Sequence, residues 1–211
     1  MKLIKHNSDN KPWDLNNKDT WDEEWERRNE SKGRWPLNRP QIYKEIIPQI
    51  RDNSTILDIG CGDGSFFYYI LEKYKNVKLY GVDISNWSIE FIKEKFGDSV
   101  NLKIIKNLSD IDFNINFDII TMIEIIEHIN DPINFLIQSF RFLKPHGKIL
   151  ISTPNENFTY DRCHLYSFEE SDFIDILGKF FGTYQIKTID LPIREKSIII
   201  AIGDDYKGES K

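Results

Sequence analysis

From Ser54 onward the sequence alternates short, β-rich apolar runs with stretches of helical spacing, and this alternation restricts the fold more than any other feature. Strands are expected at 55–59, 78–83, 102–106, 117–123 and 148–152, each a near-continuous apolar run of the kind a sheet covered on both faces requires. Helices are expected over 65–75, 86–96, 132–143 and 168–178, where apolar residues recur at helical spacing and Ser85, Asp131 and Ser167 offer N-caps. Parallel neighbours need a crossover connection, and the alternation supplies one each time. The rhythm breaks at 184–191 and 197–202, two strands separated by a polar turn too short for a crossover helix, so this last pair must be antiparallel. The expected class is α/β, a doubly wound sheet, with no internal repeat.

A chain of 211 residues has room for one such domain and an attached arm. The texture of residues 1–50 differs from the rest, with Trp13, Trp21, Trp25 and Trp35 set among Asp, Glu, Asn, Lys and Arg. It reads as an N-terminal helical arm or lid outside the core, with helices over 20–29 and 40–50. Its tryptophans either dock the arm on the main domain or line a substrate mouth. The main domain is expected over 51–203, and 204–211 as a flexible tail. A net charge of −6 offers no global basic field for a phosphate backbone or an anionic membrane surface. Cys61 and Cys163 form neither a disulfide framework nor a paired zinc ligand set. The first residues lack the apolar core of a secretory signal. The longest apolar stretches, 66–71 and 198–202, fall far short of the roughly 20 residues of a membrane span, so the cytoplasm is the expected location.

The segment Ile56-Leu57-Asp58-Ile59-Gly60-Cys61-Gly62-Asp63-Gly64-Ser65 carries a buried strand into a glycine-rich turn and then a helix. Without a Cβ, the glycines permit unusual dihedrals and close approach of a ligand, beside a helix N-terminus that attracts negative charge. Asp83 ends the next strand, 19 residues beyond Gly64, where a carboxylate can accept hydrogen bonds from both ribose hydroxyls. These features specify a nucleoside-containing cofactor. The spacing is Gly-x-Gly-x-Gly instead of the dinucleotide Gly-x-Gly-x-x-Gly, and Asp58 precedes it at the strand end. A pyrophosphate has no need of that carboxylate, whereas an amino-acid cofactor with an ammonium group does, at least through water. Cys61, inside this loop, reads as a small loop residue and not as a nucleophile.

On these residues the sequence resembles the class I S-adenosylmethionine-dependent methyltransferases, whose first motif is matched by Leu57 to Gly64 and whose acidic second motif is matched by Gly81-Val82-Asp83-Ile84. The resemblance covers about residues 40 to 203. It implies a Rossmann-like seven-stranded sheet of order 3-2-1-4-5-7-6. A narrower likeness, to the branch of ubiquinone-pathway O-methyltransferases and small-molecule methyltransferases, comes from Phe117 to Ile129, Asp131-Pro132, Leu143-Lys144-Pro145 and Ile151 to Asn155. The resemblance implies S-adenosylmethionine as cofactor, not a nicotinamide dinucleotide, held by Asp58, Gly60, Cys61, Gly62, Gly64, Asp83, Ile84, Asn107, Leu108 and Ile123. Arg39 matches the arginine that holds the cofactor carboxylate in the ubiquinone-pathway relatives. Two departures stand out. His146 replaces the usual glycine of a Lys-Pro-Gly-Gly turn, and Asn107-Leu108 stands where many relatives carry an acidic residue toward the adenine amine.

Methyl transfer from a sulfonium is an in-line displacement, so the protein mainly aligns the reactants in a dry site and, where needed, removes a proton. Glu124, Glu127 and His128 follow the fourth strand and His164 follows the fifth. Either histidine is a candidate general base; His128 also fits a structural place in the turn before Asp131-Pro132, and His164 fits a structural role. The expected reaction is methylation of a hydroxyl, in preference to an amine, on a small molecule such as a sugar or an aromatic metabolite. No resident metal is expected, although Glu124, Glu127, His128 and His164 resemble the metal set of the small-RNA 3′-terminal 2′-O-methyltransferases. That metal-dependent RNA reaction is one alternative, with nucleic acid disfavoured by the acidic chain and the absence of a basic run. A non-catalytic cofactor-binding module is the other. Arg162 either binds a substrate anion or is a solvated loop charge. The acceptor's identity and the oligomeric state stay open.

Overall fold

Thr55–Ile59 forms β1, a strand whose Ile56, Leu57 and Ile59 are all buried, and the rest of the chain is laid out around it. The computed structural model describes residues 4–5, 17–32, 39–97, 101–112, 114–155, 164–191 and 196–208. Trp13, Trp35, Arg162, Cys163 and residues 209–211 lie outside these. On one side β1 pairs in parallel with β2, Lys78–Val82, which pairs with β3, Leu102–Ile105. On the other it pairs with β4, Phe117–Ile123, and β4 with β5, Leu143–Pro154. The hairpin of β6, Phe181–Leu191, and β7, Lys196–Tyr206, completes the sheet, with β7 antiparallel to β5. The order β3-β2-β1-β4-β5-β7-β6 is the one the family resemblance implies.

Because strand side chains alternate, the sheet feeds two apolar layers. Ile56, Ile119, Leu150, Ile198 and Ile200 face α3, Ser65–Lys73, and α4, Asn86–Phe96; Leu57, Ile120, Ile149, Ile151 and Ile199 face α5, Pro132–Phe140, and α6, Glu170–Phe180. Ser85 and Asp131 cap their helices as expected, accepting from the backbone N–H of Ser88 and Asn134. Ser167 does not cap α6. Glu169 does, in a reciprocal box with Asp172, because Tyr166–Ser167 is drawn into a two-residue antiparallel pairing with Ile4–Lys5.

The N-terminal region divides differently from expectation. α1, Lys18–Lys32, lies over α4. By contrast α2, Pro40–Ile46, with its 3-10 extension Ile47–Gln49, belongs to the core. Ile42 and Ile46 stand one helical turn apart and, with Ile47 and Ile50, are buried against β1 and β7 neighbours. The arm therefore ends before Pro40, not at 50. At the other end, β7 runs to Tyr206 where a tail was expected from 204, because the Tyr206 ring packs against Phe140 and Phe181 at centroid distances of 6.2 and 5.6 Å. β5 begins five residues before the expected 148. His146 adopts the left-handed φ of 62° that a glycine normally fills in this turn, and its Nδ1 meets Asp205 Oδ1 at 2.6 Å. Among the described residues, no helix is long and apolar enough to cross a membrane.

The placement of α2 has a measurable consequence. Ile46→Ala should lower the unfolding free energy by about 2–5 kcal/mol in urea titration, as for a fully buried aliphatic side chain. A residue on an arm outside the core would change it by less than about 0.5 kcal/mol.

Candidate functional site

The carboxyl ends of β1, β2 and β4 stop at the same level, with Asp58 opposite Gly81 on one side and Thr121 on the other. Beyond them the chain turns away to either face and leaves a crevice, the usual ligand position in such sheets. Here it is a cavity of about 380 Å³. Arg39, Asp58, Gly60, Cys61, Gly62, Asp83, Ile84, Asn107, Leu108, Ile123, His128 and His164 all line it. Of the expected cofactor set, Gly64 alone stands outside: it occupies the N-cap position of α3 at φ 70° and packs on Ile92 and Phe96.

The loop after β1 is shaped by left-handed backbone at Gly60 (φ 75°) and Gly62 (φ 53°). At Gly62 the space a Cβ would take is occupied by the indole of Trp25. Asp83 ties this loop to the next one: its Oδ2 accepts from Gly62 N–H at 2.8 Å and its Oδ1 from Ser85 N–H at 2.9 Å. Each carboxylate oxygen keeps a lone pair for a ribose hydroxyl. Asp58 is buried and its Oδ1 accepts from Thr121 Oγ1 at 2.6 Å. Burial pushes the Asp58 carboxyl up to about 7, against the lowering effect of Thr121 and with a further rise from the Asp83 charge. Burial likewise raises Asp83 to about 6, opposed by the two N–H donors and assisted by Asp22. Cys61 is buried with its thiol pushed upward by the same burial and carboxylates, which fits an inert loop residue. Asn107 has its amide nitrogen committed to Asp110 Oδ2 at 2.9 Å, within its own 3-10 turn.

At the other end of the cavity, Glu124 sits at φ 57°, an uncommon conformation for a side-chain-bearing residue. Its Oε1 accepts from Ser152 Oγ at 3.1 Å, and its Oε2 lies 3.7 Å from Arg39 Nη1. Glu127 is 1 % exposed; Thr153 Oγ1 donates to its Oε2 at 2.9 Å, while Oε1 has no hydrogen-bond partner. Burial, and next the neighbouring Glu124 charge, hold the Glu127 carboxyl well above the usual carboxylate range. His128 lies edge-on to Trp21 and to His164, at centroid distances of 4.8 and 5.0 Å. Glu127, His128 and His164 each bring one donor atom within 4.8 Å of the others, whereas Glu124, expected in that cluster, is turned to Ser152 and Arg39.

Sequence reading missed Thr121, Ser152 and Thr153, the hydroxyls that hold the acidic groups in place. For Thr121 the available signal was a polar residue inside an apolar strand run; for Ser152 and Thr153 it was a pair of adjacent hydroxyls closing the apolar run 149–151. Trp21 and Trp25 do line the cavity, as one of the two readings of the arm had it.

Comparison with known proteins agrees with this geometry. The family model described as a methyltransferase domain matches residues 25–182. The chain belongs to the methyltransferase-domain family. S-adenosylmethionine is the methyl donor of this family. A ubiquinone biosynthesis O-methyltransferase of Coxiella burnetii is 32% identical over 143 residues, spanning 65% of this chain and 58% of that protein. The (S)-tetrahydroprotoberberine N-methyltransferase of Eschscholzia californica is 35% identical over 94 residues, 43% of this chain and 27% of that protein. The match thus spans little more than half the length of the curated O-methyltransferase. Among solved structures, the N-methyltransferase NodS of Bradyrhizobium japonicum, in complex with S-adenosyl-L-homocysteine, superposes with a TM-score of 0.68 at 15% identity, covering 88% of this chain and 98% of that one.

The raised carboxyls of the methyltransferase domain set a pH dependence. Asp58 and Asp83 titrate near 7 and 6 in the folded chain against an ordinary 3.8, so the folded state binds extra protons between those values. Their contribution to stability is therefore greatest below about pH 4 and lost as pH rises to about 7, with little change above. Asp58→Asn keeps an acceptor for Thr121 and removes the larger part. Relative to the unsubstituted protein, its melting temperature without cofactor should climb from pH 4 to pH 7, read by scanning calorimetry; parallel profiles would contradict the assignment.

Proposed function

We propose that this chain transfers the methyl group of S-adenosylmethionine to a hydroxyl of a small-molecule acceptor, of the sugar or aromatic metabolite class. The observation that carries the reading is the pair of imidazoles, His128 and His164, on the wall of the same cavity as the Gly60–Gly62 loop. The residues fit the cofactor: the glycine loop carries no side chains of its own at Gly60 and Gly62, so a ligand can meet its backbone once Trp25 moves off Gly62, Asp83 keeps lone pairs for the ribose, and Asp58 answers an ammonium group. Arg39 takes the cofactor carboxylate, exchanging its contact with Glu124. Ile84, Leu108 and Ile123 provide apolar walls for the adenine, with Asn107 at its rim. When bound, the cofactor supplies an electrophilic methyl group and a neutral thioether leaving group.

The protein's own work is alignment and proton removal. Trp21 and the arm exclude water above the acceptor. His128 or His164 would accept the acceptor's hydroxyl proton as its oxygen is methylated. The O-methyltransferase relative supports a hydroxyl; the N-methyltransferase relatives make an amine the first alternative acceptor, served by the same base.

Glu127 Oε1 favours a second reading. A buried carboxylate oxygen with no hydrogen bond, 3.8 Å from His128 Nε2 and grouped with two imidazoles, matches the donor set of a divalent ion of borderline hardness. In that reading Glu127, His128 and His164 hold the ion against acceptor oxygens, the 2′- and 3′-hydroxyls of an RNA end among them. The tryptophan-walled cavity and the acidic chain favour the small molecule over RNA.

Calorimetric titration should show S-adenosylhomocysteine binding and no NAD binding, with affinity lost in Asp83→Ala. Radiolabelled methyl transfer to metabolite pools and to short RNAs, with and without chelator, then separates the acceptors. Chelator-insensitive labelling of a small molecule is expected, reduced about 10²- to 10⁴-fold in His128→Ala or His164→Ala. Chelator-sensitive labelling of RNA 3′ ends, lost in Glu127→Ala, would establish the metal reading instead.

A further inference from the structure

Ten of the fifteen residues of α1 are charged, and its apolar contact with the body is confined to Trp21, edge-on to His128, and Trp25, one turn on. What fastens it is a small set of contacts, and they fall around the cofactor loop. Trp25 lies on Gly62 and stacks on Trp87 at 5.9 Å with an interplanar angle of 4°. Asp22 reaches the first turn of α4: its Oδ1 accepts from Ser85 Oγ at 2.6 Å and from Trp87 N–H at 3.0 Å, while Lys18 Nζ holds its Oδ2 at 2.8 Å. A carboxylate at a helix N-terminus, accepting from free backbone N–H groups, is a favourable arrangement. Ser85 is also the N-cap of α4, and its own N–H binds Asp83 Oδ1. Asp22, Ser85, Asp83 and the Gly62 N–H thus form a continuous run of hydrogen bonds from the arm to the cofactor loop.

We propose that Asp22 is a positioning residue for cofactor binding: its seat on Ser85 and Trp87 holds Trp25 over the ribose edge of the site, so that the arm retains the bound nucleoside. The inference rests on the cavity being the S-adenosylmethionine site. Asp22 touches no reacting atom. It acts on the rates at which the nucleoside enters and leaves, because α1 must lift from Ser85 and Trp87 before the buried Gly62 is open to solvent.

Stopped-flow tryptophan fluorescence with the full chain and S-adenosylhomocysteine tests this. In Asp22→Ala both association and dissociation should be faster, dissociation by about tenfold, with the affinity correspondingly weaker, as for loss of hydrogen bonds to a charged group. Asp22→Asn retains the Oδ1 that makes both contacts, and should stay within about threefold of the unsubstituted rates. Faster association is the decisive readout, since general damage to the fold reduces the binding-competent fraction and slows it. Unchanged rates in Asp22→Ala, or slower association, would overturn the proposal. If the unsubstituted protein binds no S-adenosylhomocysteine, the cofactor reading and this inference fall together.

Discussion

Asp58 is held between β2 and β4 at the one level where three parallel strands end together, and Thr121 gives its buried carboxyl a hydrogen-bond donor. Parallel register places the two residues opposite each other; no local sequence rule does. The crevice exists because β1 and β4 must send their chains to opposite faces of the sheet beyond this point. The Gly60–Gly62 turn, the Asp83 tie to Gly62 and the Glu124 kink all follow from how the chain leaves those strand ends.

The cavity concentrates acidic groups. Asp58, Asp63, Asp83, Glu124 and Glu127 all line it, against Arg28, Arg39 and Lys106. Burial first, and the charges of neighbouring carboxylates next, push the Asp58 carboxyl up to about 7 and hold that of Glu127 well above the ordinary carboxylate range. A sulfonium with an ammonium group brings two positive charges against one carboxylate, so it relieves this repulsion. If S-adenosylmethionine occupies this cavity as proposed, the thioether left after methyl transfer has lost one of those charges, and the same contacts would favour the donor over the spent product.

What the sequence made legible was local. The strand-turn-helix of 55–65 and the acid at Asp83 are continuous in the chain, and their spacing carries their geometry. Connection length separated the parallel strands from the final antiparallel pair; the order of the seven strands came with the family resemblance, not from spacing. The support network was hidden because it depends on register: Thr121 with Asp58, Thr153 with Glu127 and Ser152 with Glu124 join different strands. Residues 40–50 were misjudged because the charged stretch before them set the expectation, although Ile42 and Ile46 already mark a buried helix face. Asp22 was one charge among many until the fold brought it to the start of α4.

The two-residue pairing of Ile4–Lys5 with Tyr166–Ser167 places the first described residues directly after His164. α1 therefore lies on a segment anchored at both ends, at this pairing and at the buried α2. A tether fixed at one point explores a wide volume when released; a strap fixed at two does not. α1 is thus held between two fixed points, and a change at Ile4 or Lys5 would bear on the segment that follows His164.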